Sequence, residues 1–110
     1  MNGYQLGFYT TLGRRIHGKP IKDWLISLAR ELGIPGATVF AGAEGYGHDR
    51  RFHSMHFFDL TDEPILLVMI VTEEQKLRLF SRLGTENCEL FYTIQPVEFG
   101  IAGGPVDTRG

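Results

Sequence analysis

Apolar and polar residues alternate over positions 4–12 (YQLGFYTTL), with Leu6, Phe8 and Leu12 on one side and Gln5, Gly7 and Thr11 on the other. A period of two predicts a strand with one buried face. The period changes after Pro20. Ile21, Trp24, Leu25, Leu28, Ala29 and Leu32 recur at i, i+3, i+4, i+7, i+8 and i+11, a single apolar stripe along a helix. Pro20 suits the first helical turn, where its missing N–H costs nothing. Gly33 is placed to end the helix in the left-handed conformation, and Pro35 blocks its continuation. Residues 14–19 (RRIHGK) read as a polar connection.

Further on, GATVFAGA (36–43) predicts a second strand, HSMHFFDL (53–60) an extended segment, ILLVMIV (65–71) a third main strand and ELFYTI (89–94) the last. TEEQ at 72–75 has the form of a capping box, with two acidic residues in the first turn. The helix it opens is expected to continue through 76–83, with Gly84 available to end it. The order β-α-β-β-α-β is the ferredoxin-like α+β plan, an antiparallel sheet with both helices on one face. In that plan the other face meets water, so central strands should alternate. Ile65 to Val71 is apolar throughout, which predicts burial on both faces. A second copy of the chain is the simplest cover, so a homo-oligomer is expected.

Composition narrows the class. A chain of 110 residues has room for one domain, taken as residues 1–99 with a Gly-rich tail at 100–110. The formal charge of −2 argues against a general nucleic-acid binder, which carries a basic excess. Cys88 is the only cysteine, so no intrachain disulfide forms, and a buried, inert thiol is expected. No basic–apolar–small pattern opens the chain, and its longest apolar run is too short to span a bilayer. A cytoplasmic protein without membrane insertion is the expectation.

Candidate chemistry concentrates in GYGHDRRFHSMH (45–56), which holds three of the four histidines and two arginines. Three imidazoles, His48, His53 and His56, have the ligand chemistry for a divalent metal, with Asp49 as a fourth donor. Their spacing matches no strong zinc pattern, and His53 and His56 point to opposite faces if 53–60 is a strand. Arg50 and Arg51, with the amides around Gly45 to Gly47 and with His17 or Lys19 as further candidates, suit a phosphate or carboxylate. Tyr46, Phe52 and the arginines also fit a partner-binding loop, and a solvated hairpin tip accounts for the same composition. No serine or cysteine has a nucleophile context, so a catalyst is not expected.

GKP (18–20), LARELGIPGATV (28–39), GYGH (45–48), His53, FFDL (57–60) and the P-x-x-L-x-M-I-V strand (64–71) together resemble the small PII-like family called domain of unknown function 190. More distantly, GIPGATV followed by GYG is similar to the G-x-T-x-V … G-F-G pattern of the PII signal-transduction proteins. The resemblance implies a ferredoxin-like subunit assembled as a homotrimer with its sheets inward, a non-catalytic sensor binding a small anionic metabolite such as an adenine nucleotide in clefts between subunits. It implies that Thr38 lies near the adenine and that Gly45, Tyr46 and Gly47 line the cleft edge. His48, Asp49, Arg50 and Arg51 would open a ligand-responsive loop, 44–53, that meets a regulated protein partner. The basic loop that embraces phosphates in PII proteins is replaced here by GTENCE (84–89), without a basic residue. That departure points to a smaller or less charged ligand, such as a monophosphate nucleotide or a carboxylate metabolite. The same fold relates to the copper-tolerance proteins, and the rival reading is a divalent-metal-binding trimer using His48, His53 and His56.

Overall fold

The structure, a computed structural model, describes residues 1–42, 44–46, 52–54 and 63–104, with 44–46 and 52–54 described through their backbone. In chain order these form β1 (Asn2–Thr11), β2 (Arg15–Ile16), β3 (Lys19–Pro20), α1 (Ile21–Glu31), β4 (Ala37–Ala41), β5 (Glu44–Tyr46), β6 (Phe52–Ser54), β7 (Pro64–Val71), α2 (Glu73–Glu86) and β8 (Phe91–Glu98). The four long strands make one sheet in the order β4-β7-β1-β8, with every neighbouring pair antiparallel. With α1 and α2 this is the expected ferredoxin-like α+β plan.

The core lies on one face of that sheet. Leu6 and Phe8 of β1 and Leu67, Met69 and Val71 of β7 meet Ile21, Leu25 and Leu28 of α1 and Leu79 and Leu83 of α2, all buried. Burying each such side chain stabilises the fold by about 1.5–3 kcal/mol. The expected stripe on α1 is present, with Trp24 and Ala29 also buried. Gly33 is left-handed at φ 77° as expected, and Ile34 N–H donates back to the Ala29 carbonyl. Pro20 stands one position outside α1, as its N-cap.

α2 begins at the predicted capping box. Thr72 accepts from the Gln75 N–H, and Gln75 Oε1 accepts from the Thr72 N–H. The helix does not stop at Gly84 but runs to Glu86, and Asn87 takes the left-handed cap at φ 51°. A glycine inside a helix costs only about 1 kcal/mol relative to alanine, and buried Leu83 and Cys88 hold the last turn to the core. The final strand is also displaced from its expected 89–94 to 91–98. Glu89, at φ 48°, cannot belong to a strand. Pro96, which would break a central strand, is tolerated because β8 is at the sheet's edge.

β7 corrects one expectation in part. Ile65, Leu67, Met69 and Val71 are buried, whereas Leu66, Val68 and Ile70 on the other face are only half-buried within the single chain. Cross-strand register puts Phe40, Leu66, Tyr9 and Phe91 in one row across all four strands of this open face. Phe40, Tyr9 and Phe91 are 53%, 43% and 52% exposed. Among the described residues this row is apolar and about half open to solvent.

Candidate functional site

Thr38 falls on β4, the edge strand next to β7. Its register partner is Val68, so it faces away from the helices, and it is exposed. Past Ala41 the Gly42 N–H donates to the Pro64 carbonyl (2.8 Å), which ties the exit of β4 to the entry of β7. β5 and β6 then form a separate antiparallel pair in which Gly45 stands opposite His53 and Tyr46 opposite Phe52. The sequence-predicted residues Thr38, Gly45, Tyr46 and His53 therefore lie on one edge strand and the hairpin that leaves it. Gly47, His48, Asp49, Arg50, Arg51 and His56 lie outside the described residues. Among the described residues no group of three or more His, Cys, Asp or Glu side chains is placed to hold a metal ion.

Two other connections reach the same end of the sheet, because β1 leaves there and β8 enters there. Leu12 N–H donates to the Glu63 carbonyl, closing β1 onto the start of β7. Residues 14–19, expected as a plain polar connection, instead form the small β2–β3 hairpin. His17 and Gly18 both take left-handed φ, 51° and 77°, as a two-residue I′ turn requires. The sequence signal was the His-Gly pair between Ile16 and Lys19.

This hairpin clasps the connection between α2 and β8. The Arg14 guanidinium donates to the carbonyls of Cys88 and Glu89, and His17 Nε2 lies 2.5 Å from Glu86 Oε2. Residues 84–89, which carry no basic side chain of their own, thus receive one from Arg14, but it is turned onto the protein's own carbonyls. Arg15 likewise bonds the Gly18 carbonyl. Burial pushes the Cys88 thiol above its ordinary pKa, outweighing nearby amides and Arg14 that favour the thiolate. Cys88 is a free cysteine, buried as expected.

The opposite end of the sheet has an open hollow of about 440 Å³ lined by Tyr4, Glu73, Pro96 and Glu98 among others. Hydrogen bonds from Tyr4 and then Lys76 hold the Glu73 carboxyl below the ordinary carboxylate range. The Lys76 ammonium sits 4.0 Å from the Tyr4 ring centre. None of the described sequence-predicted site residues lines this hollow.

A β4-β7-β1-β8 antiparallel sheet with two helices on one face, and a hairpin between its second and third main strands, is the architecture of PII-like proteins. Solved structures agree. The chain is similar to a PII-like signalling protein from Thermus thermophilus, with a TM-score of 0.64 at 20% identity over 87% of each chain. It is also similar to CPII, a nitrogen regulatory PII-like protein from Thiomonas intermedia K12 solved bound to ADP, AMP and bicarbonate. That match has a TM-score of 0.70 at 16% identity and covers 92% of this chain and 91% of the other. The chain belongs to the DUF190 family, described as uncharacterized ACR, whose family model matches residues 3–99. Among curated relatives, a UPF0166 protein of Aquifex aeolicus (strain VF5) is 33% identical over 75 residues, 68% of this chain and 71% of that protein. No described helix is long and apolar enough to cross a membrane.

Proposed function

We propose that this protein is a non-catalytic PII-like sensor that assembles as a trimer and binds an adenine nucleotide with few phosphates in the clefts between subunits. The observation that carries this reading is the placement of Thr38. It stands exposed on an edge strand that leads into the Gly45–Tyr46 hairpin, in a fold that matches a relative solved with ADP and AMP. The place of a phosphate-embracing loop supports a short phosphate chain, because Arg14, the cation that reaches it, is held by backbone carbonyls. In this reading Gly45, Tyr46 and Gly47 line the cleft edge. His48, Arg50, Arg51 and His53 meet the anionic group, and loop 44–53 changes its fit to a protein partner when the ligand binds.

A thermal-shift titration with AMP, ADP and ATP tests it. A ligand that binds only the folded state, at about a hundred times its dissociation constant, adds roughly 2.7 kcal/mol. A saturable rise with AMP or ADP and a smaller one with ATP is the expected result. The Arg50→Ala, Arg51→Ala double variant should lose about tenfold or more in nucleotide affinity, as removal of charge-assisted hydrogen bonds does, and keep its assembly state by sedimentation. Absence of any nucleotide shift in the parent protein would sink the reading.

A further inference from the structure

The open face of the sheet carries a ring with no ring beside it among the described residues. Tyr9 and Phe91 on that face meet edge to face at 5.7 Å, while on the helix face Phe80 meets Tyr92 in the same way at 4.8 Å. Phe40 has no such neighbour among the described residues, although it is 53% exposed. Its register partner on β7 is Leu66, and the Thr38–Val68 pair lies two residues along the same strands. Residues two apart on a strand project from the same face about 6.6 Å apart. One planar ring system of purine size therefore reaches both Thr38 and Phe40. The two sit on the outermost strand of the described sheet, with no strand beyond β4. The Thr38 hydroxyl makes no side-chain hydrogen bond among the described residues. Before it, a side chain at Gly36 would meet nothing within 4 Å, so the approach along this edge is open.

Resting on the nucleotide reading above, in which Thr38 already lies near the base, we infer that the Phe40 ring on the same strand face is the stacking platform for the nucleobase. An exposed aromatic ring accepts any flat base, because each presents a π face. The chemistry to be recognised is thus a planar heteroaromatic ring joined to a phosphate-bearing sugar. The phosphate end would lie towards the hairpin that begins beyond Gly42, and the base against β4. A second copy of the chain resting on Phe40 would bury the same ring by shape and apolarity alone, without needing its flat face. That difference makes the two occupants separable.

The experiment uses Phe40→Leu and Phe40→Trp in the full chain, with AMP and ribose 5-phosphate as probes in calorimetric titrations, and sedimentation for assembly state. Leucine keeps an apolar contact but has no π face; tryptophan enlarges that face. Phe40→Leu should bind AMP roughly tenfold or more weakly, bind ribose 5-phosphate like the parent, and sediment like the parent. Phe40→Trp should stay within a few-fold of the parent for AMP. Equal AMP affinity in parent and Phe40→Leu would overturn the platform while leaving the nucleotide reading standing. So would a Phe40→Leu protein that falls apart into smaller species, since the ring would then belong to a subunit contact. A parent protein that binds no adenine nucleotide would remove both.

Discussion

Gly3 has no space for a methyl group. A Cβ built there would lie 2.2 Å from the Val71 carbonyl oxygen and 2.8 Å from the Phe99 ring. The first is backbone of the neighbouring strand β7, so it cannot swing aside. Gly3→Ala should therefore cost about 2–3 kcal/mol, the upper part of the range for overpacking, and lower the midpoint of thermal unfolding by roughly 10 °C or more. Gly36→Ala is the matched control. Nothing lies within 4 Å of its built Cβ and its φ is not left-handed, so alanine should be neutral or stabilise by up to about 1 kcal/mol through the unfolded chain. Calorimetry of the two variants side by side checks both. Neither outcome was legible in the sequence, where both glycines stand next to apolar strands; the distinction depends on a neighbouring strand and on the ring of Phe99.

Among the elements, α2 shows how a local signal and a long-range contact combine. Its capping box read directly from TEEQ, because the residues that make it are three apart and need no other part of the chain. Gln75 also donates through Nε2 to the Gly33 carbonyl at 3.1 Å, so the start of α2 caps the end of α1. Thr72→Ala should lose about 1 kcal/mol of stability, read as a lower denaturant midpoint with unchanged slope. The Arg82–Glu31 contact at 2.6 Å ties the same two helices but is exposed on both sides, and its removal should matter far less. The β2–β3 hairpin is missed when residues 14–19 are read as a polar connection, although His17-Gly18 carries its turn, and its docking has no local signal at all. Arg14 reaches residues more than seventy positions away, and no local pattern announces that.

At the scale of the molecule, the middle of the apolar row, Leu66 and Tyr9 on the two central strands, is the principal feature the single chain leaves unsolved. Central strands exposed on one face usually carry polar residues there; here β7 presents Leu66, Val68 and Ile70. If three copies pack these faces together, a charge at the centre of the row would be buried without a partner. Leu66→Glu should then shift the protein to monomers by sedimentation, with the far-ultraviolet spectrum of the fold retained. A trimer that survives this change would mean that the faces are not what the copies share.

The order of the main elements, the burial of Leu6 and Phe8 on β1 (though not of Leu12, which falls past the strand's end and is half-buried), the stripe of α1, the cap of α2 and the family could all be read before any fold was known. Each of these is written in residues close together along the chain, where spacing alone sets which side of a helix or strand is apolar. Long-range packing set where β8 begins, how far α2 runs, and that the connection after β1 locks onto the connection before β8. It also placed Thr38 and Phe40 on an open edge of the sheet. Those facts depend on which strands are neighbours and which of them stand at the edge. Both follow from the sum of many long-range contacts, and no short stretch of the chain carries that sum.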